Sequence, residues 1–176
     1  EFSIITRGGS LQVRMDADIT VDMGPPRNSD SAVTVQVGDR VWPAEAVFMP
    51  NPHAVAFVDE LDDVGDLHDA PTVRSSVFPE GQNVEFVEVL EPGRHARMRV
   101  HERGVGETLS CGTGICAVAD RVLARAGVEG PAEVRVDVPG GSLRVTRTAH
   151  GTLDLTGPAA LVADGTLGED LSELFL

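Results

Sequence analysis

The chain has 176 residues, 41% of them hydrophobic, and a formal charge of −14 at neutral pH. That is enough for one domain with a core, and too acidic, with no arginine patch interleaved with aromatics, to favour nucleic acid or an anionic membrane surface as partner. No apolar run approaches the ~18 residues of a bilayer span, and all 14 basic residues are Arg, so no lysine amine can hold pyridoxal phosphate as a Schiff base.

The chain opens Glu1-Phe2-Ser3, without Met, directly into strand-like sequence. Residues 1–19 read as strands leading into a single domain over 1–176, and any missing partner segment is expected upstream. Met23-Gly24-Pro25-Pro26 ends an early strand. Ser31–Val37, Asn83–Val89, Arg94–His101, Ala132–Val138 and Ser142–Thr148 carry apolar or β-branched residues at every second position, the pattern of strands with one dry face. Pro139-Gly140-Gly141 and His150-Gly151 sit where hairpin turns would join neighbours. The acidic stretch ELDDVGDLHD, Glu60–Asp69, reads as a solvated surface helix or loop without chemistry.

One segment has a sustained helical period. Ile115, Val118, Ala119, Val122, Leu123 and Ala126 form an apolar stripe, with Asp120, Arg121 and Arg125 on the other side. The spacing predicts a helix from Gly112 to Ala126, with Gly127 as the residue that ends it and Arg125 suited to the negative end of its dipole. Its many small residues let strands approach closely. The expected class is α+β, a curved, mostly antiparallel sheet wrapped around a central helix. The tail Gly168–Leu176 reads as a short amphipathic helix, and residues 164–176 are expected to pack on a missing half or partner.

Cys111 stands at the mouth of the helix, where unpaired N–H groups and the dipole favour a thiolate and can lower a thiol pKa below its usual ~8.5. By position alone it is either a small packing residue or a reactive thiol. Cys116 lies in the helix interior and reads as a buried hydrophobe. Five residues of helix separate the two Cα atoms by roughly 8 to 9 Å, beyond the ~7 Å that a disulfide bridges. C-x4-C without a nearby His is no zinc signature, and His68, His95, His101 and His150 show no ligand spacing and read as surface or structural, so no metal is expected. The Gly112-Thr113-Gly114 run leaves backbone N–H groups open for a carboxylate or phosphate.

His101–Ala117, HERGVGETLSCGTGICA, resembles the second cysteine motif of diaminopimelate epimerase, a pyridoxal-independent amino-acid epimerase. Asn51-Pro52-His53-Ala54-Val55 and Gln82-Asn83-Val84-Glu85-Phe86 are similar to two further motifs of that family in the same order, and Asp22-Met23-Gly24-Pro25 to the segment where its chain enters the second half. The likeness runs from Thr20 to Ala163.

The resemblance implies two pseudo-symmetric halves, each a curved sheet around a helix, with an amino-acid substrate in the cleft between them. One thiolate would remove the α-proton while an opposing thiol delivers a proton to the other face, with no cofactor. Cys111 matches one of that pair. The amides of Gly112 and Thr113 would hold the α-carboxylate, and Asn51, Asn83, Glu102 and Arg103 match residues that recognise the distal end. His53 lies inside a matched motif without an assigned role.

The family's first-half motif, GNG-x-R-C, has no counterpart here. The chain is therefore expected to be inactive by itself, and to be either a piece of a longer epimerase or a subunit that pairs with a second chain carrying the other cysteine. In both cases an uncovered face favours association. The resemblance further implies LL- and meso-diaminopimelate as substrates, lysine and cell-wall precursor synthesis as the context, and a bacterial cytoplasm as the place, with which two free thiols agree. Two other readings stand beside it: a subunit acting on another amino acid in specialised biosynthesis, and a non-catalytic binding or scaffold module.

Overall fold

A computed structural model describes residues 1–6 and 8–166 of the chain. Within these residues, alternating apolar residues and glycine-marked turns give thirteen strands in one sheet. They are β1 (Phe2–Thr6), β2 (Gly9–Met15), β3 (Ile19–Asp22), β4 (Arg27–Val37), β5 (Arg40–Phe48), β6 (Pro52–Phe57), β7 (Thr72–Arg74), β8 (Asn83–Glu91), β9 (His95–Glu102), β10 (Gly106–Thr108), β11 (Ala132–Val138), β12 (Gly141–Arg147) and β13 (Leu153–Gly157). Among the described residues a single α-helix, α1 (Gly112–Arg125), follows β10. The sheet order is β1-β2-β3-β13-β12-β11-β9-β8-β6-β5-β4-β7, with β10 on the side of β9. All pairings are antiparallel except β6 with β8 and β9 with β11. The fold is thus sheet-dominated, curved and mostly antiparallel, as expected. The described residues contain no helix long and apolar enough to cross a membrane.

The expected strands fall on β4, β8, β9, β11 and β12, and the two expected hairpin turns join β11 to β12 and β12 to β13. The expectation of one dry face fails for β8. Asn83–Val87 are buried on both sides, as are His53–Ala56 of β6 beside it. The reason is that two apolar layers sandwich this part of the sheet. On one face Val55, Val87, Met98 and Val100 pack with α1, and on the other Ala54, Ala56, Val84 and Phe86 pack with Val35, Leu67 and Phe78.

The acidic stretch after β6 corrects a second expectation. Leu61–Val64 form a 3-10 helix, and Leu61, Val64 and Leu67 are buried in the second apolar layer while the acidic residues between them stay in water. Their spacing covers the outer end of β8, so the stretch is an amphipathic cover rather than a solvated face alone.

Helix α1 packs against β5, β6, β8, β9, β11, β12 and β13. Residues Gly114–Asp120, Val122 and Leu123 are buried, a wider band than the predicted stripe. Ala126, counted in that stripe, is exposed because the helix has already ended. Gly127 adopts φ +65°, its N–H bonds to the Ala124 carbonyl and the Val128 N–H to the Leu123 carbonyl, the glycine-stopped ending that the sequence predicts. The tail expected to form a helix over Gly168–Leu176 lies outside the described residues, and residues 164–166 are exposed and without regular structure.

Candidate active site

Cys111 is the N-cap of α1. Its backbone is extended (φ −134°, ψ 107°) and its carbonyl accepts the Ile115 N–H at 2.8 Å. The N–H groups of Gly112, Thr113 and Gly114 therefore have no intrahelical partner. No acidic residue of the helix itself occupies the first turn, so any negative charge near the positive end of the dipole comes from other elements.

Gly114 is there for space. A Cβ at this position would lie 2.6 Å from Glu85 Oε1, a buried atom. Gly→Ala in a helix interior ordinarily stabilises by up to ~1 kcal/mol. Here the overlap reverses the sign, and Gly114→Ala is expected to lower stability by about 1–3 kcal/mol, measured as a lower urea midpoint.

Beneath the helix start runs a continuous hydrogen-bonded chain. His53 and Glu85 are fully buried, and His53 Nδ1 donates to Glu85 Oε1 at 2.6 Å. His53 Nε2 lies 3.2 Å from Asn51 Oδ1, Asn51 Nδ2 donates to Thr113 Oγ1 at 3.2 Å, and Thr113 Oγ1 lies 3.5 Å from Cys111 Sγ. The second Glu85 oxygen, Oε2, is buried without a hydrogen-bond partner among the described residues. Sequence reasoning gives His53 no role and misses Glu85 altogether. The signal is present in the sequence: a carboxylate between Val84 and Phe86 in an otherwise apolar strand needs a buried partner.

Cys111 corrects the electrostatic expectation. Burial pushes its thiol up to about 11, with Glu85 and Glu102 adding repulsion, against the opposing pull of the Thr113 hydroxyl and the Gly114 N–H. The helix end does favour the thiolate. Loss of water and two nearby carboxylates outweigh it. Alkylation well below pH 8 is therefore not expected of the chain alone. Burial raises the Cys116 thiol too. Cys116 is fully buried and both cysteines are free, as predicted.

Asn51, Thr113 and Cys111 are joined directly, with Gly112 between the last two. Asn83 lies beside His53 in the β6–β8 register, and its Oδ1 accepts the Arg103 backbone N–H at 2.9 Å. Glu102 ends β9 half-buried and accepts the Thr108 hydroxyl at 2.6 Å. Arg103 is exposed, and its guanidinium Nη1 donates to the carbonyls of Glu80 and Gly81 at 2.9 and 3.3 Å. It is thus turned toward that loop.

Thr113 and Asn51 border a cleft of about 350 Å³ that Leu11, Met23, Met49 and Pro50 also line. Larger clefts of about 420 and 500 Å³ lie toward the other end of α1, lined by Phe57 and Arg125 and by Arg94 and Arg135, without a cysteine in either lining. Chemistry rather than size selects the site. Among the described residues no group of three His, Cys, Asp or Glu side chains could hold a metal ion.

The diaminopimelate epimerase family model matches residues 46–162. The diaminopimelate epimerase of Streptomyces coelicolor is 47% identical over 173 residues, spanning 94% of this chain and 60% of that protein. That of Pseudomonas paraeruginosa is 39% identical over 176 residues, spanning 91% and 62%. The chain therefore spans about 60% of the length of these relatives. Among solved structures, a probable proline racemase from Agrobacterium radiobacter superposes with a TM-score of 0.65 at 13% identity, over 96% of this chain and 60% of that one, a likeness of fold.

Proposed function

The chain belongs to the diaminopimelate epimerase family, and on that premise we propose that it supplies one of two cysteine walls of a cofactor-independent amino-acid epimerase. The observation that carries this reading is Cys111 at the N-terminus of α1, beside a cleft that Thr113 and Asn51 line, where the N–H groups of the first turn have no intrahelical partner.

The domain is read as one unit over 1–176, its sheet curling about α1 as axis. The amides of Gly112 and Thr113 hold the α-carboxylate, where negative charge grows as the proton leaves. In one direction Cys111 Sγ, as thiolate, takes the α-proton and becomes a thiol. The opposing cysteine then gives its own proton to the other face of the carbon and is left as the thiolate. In the reverse direction the roles exchange. The α-ammonium of a bound amino acid places a positive charge beside the sulfur and works against the repulsion from Glu85 and Glu102.

Asn51, Asn83, Glu102 and Arg103 serve the distal end. For Arg103 this requires the guanidinium to leave the Glu80–Gly81 carbonyls, or to use the edge that faces away from them. A substrate with an amino acid at each end, LL- or meso-diaminopimelate, fits that pairing of an acidic residue with an arginine, and places the protein in lysine and cell-wall precursor synthesis in a bacterial cytoplasm. The opposing cysteine comes from a complementary segment, whether joined to this chain or separate, and that segment covers the exposed Leu109 and Val105 next to the site.

The isolated chain in deuterated water is expected to leave the α-hydrogen of diaminopimelate unexchanged, and addition of a segment carrying the opposing cysteine is expected to start exchange with inversion. Inversion by the isolated chain would refute the two-wall reading.

A further inference from the structure

We propose that Glu85 is a positioning residue for Cys111, acting through His53 and Asn51 to set whether the Thr113 hydroxyl offers the sulfur a hydrogen or a lone pair. The inference deepens the reading of Cys111 as the reacting thiol and rests on it. It starts from the four consecutive contacts, 2.6, 3.2, 3.2 and 3.5 Å, that lead from Glu85 to Sγ.

Each link has a direction, and the directions are coupled. Glu85 Oε1 can only accept from His53 Nδ1 while the carboxylate is ionised. When the ring carries hydrogen on both nitrogens, Nε2–H donates to Asn51 Oδ1 and Asn51 Nδ2 donates to Thr113 Oγ1. The Thr113 O–H is then free to donate to a thiolate at Cys111. The Asn51 amide stands in the orientation that this setting requires, with Nδ2 toward Thr113 and Oδ1 toward His53.

When Nε2 is bare, the Asn51 amide turns over and donates to it. Asn51 Oδ1 then accepts the Thr113 O–H, and the Cys111 S–H donates to Oγ1. The two settings differ by one proton moved between sulfur and imidazole, with no change in total charge. Glu85, as the counter-charge of the doubly protonated ring, favours the setting that stabilises the thiolate.

Two further observations single out Glu85. Its Oε2 is buried with no hydrogen-bond partner among the described residues, so the contact to His53 is the one that holds the carboxylate there. The helix also carries Gly114 at the one place where a Cβ would push the carboxylate away. The other ionisable groups around the sulfur are Glu102 of β9 and Cys116 on α1 itself, with Asp154 of β13 acting on Cys116.

The test is alkylation of the full chain by iodoacetamide at pH 8.5, resolved for each cysteine by peptide mass, with buried Cys116 reporting any loss of fold. At a pH well below the thiol pKa the rate follows the thiolate fraction, so a thiol made about tenfold less acidic reacts about tenfold more slowly. Thr113→Val is expected to slow Cys111 about tenfold and Thr113→Ser to restore most of the rate. Glu85→Gln is expected to slow it about threefold to tenfold, because a neutral ring no longer fixes the Asn51 amide.

Removal of a nearby negative charge alone would speed the reaction. A faster Glu85→Gln variant, or a Thr113→Val rate that does not change, overturns the proposal. On the unaltered chain, the His53 ring nitrogens followed by NMR are expected to respond as Cys111 ionises. A ring blind to that ionisation overturns the coupling whatever the variants do. A Cys111 no more reactive than Cys116 overturns the thiol reading as well, whereas a reactive Cys111 indifferent to the variants overturns only the chain through Glu85.

Discussion

Exchange of Cys111 for alanine is expected to lower kcat/KM for α-proton exchange by the assembled epimerase by at least about a thousandfold. On the proposed reading the side chain supplies the proton acceptor in one direction and the donor in the other, and neither Glu85 nor Thr113 beside it can take over. Glu85 is turned to His53, and the Thr113 hydroxyl is far too weak an acid or base. The anion site proposed on the backbone amides of Gly112 and Thr113 does not use the side chain, so KM is expected to change much less than kcat. Cys111→Ser should be as inactive as Cys111→Ala, since an alkoxide is harder to form than a thiolate at the same place. Deuterium incorporation at the α-carbon, read by mass spectrometry with substrate in excess, measures this. A Cys111→Ala enzyme within tenfold of the parent would remove sulfur from the mechanism.

The largest effect on stability is expected from Phe86→Ala, at about 3–5 kcal/mol. Phe86 is fully buried, meets Trp42 edge-on at 5.4 Å between ring centres, and lies in the layer that Leu61, Val64, Leu67 and Phe78 close from outside. Domains of this size have roughly 5–15 kcal/mol of total stability, so the variant stands near the threshold of unfolding. The loss also reaches the site. Phe86 is the covalent neighbour of Glu85, and slackening of β8 lets the carboxylate drift from His53. Urea unfolding by circular dichroism measures the change, and a midpoint equal to the parent's would mean that the outer layer contributes no core.

Elements with a strong local period are legible in the sequence. The alternation in Ala132–Val138 and the stripe from Ile115 to Leu123 report burial on one side, and those elements occur where expected. β5 is hidden because Pro43 interrupts it, and β6 because its residues are buried on both faces and so do not alternate in polarity. The acidic cover misleads for a related reason: five acidic residues mask three apolar ones at helical spacing. Cys111 and its glycine-rich setting are legible because a helix start is a local feature. Its electrostatics are not. The carboxylates that oppose the thiolate come from β8 and β9, and no local window shows which strands lie beneath a helix end.

The parallel pairing of β6 with β8 places His53 opposite Asn83 and Val55 opposite Glu85, so that Glu85 and His53 share a face. A slip of one residue between these two strands would turn the carboxylate to the far side while hardly altering the apolar character of either strand, since His53–Ala56 and Asn83–Val87 are buried on both faces. A chain mispaired in this way would keep much of its greasiness and lose its chemistry. The buried contact of Glu85 with His53 is therefore a stricter proofreader of strand alignment than hydrophobic burial is.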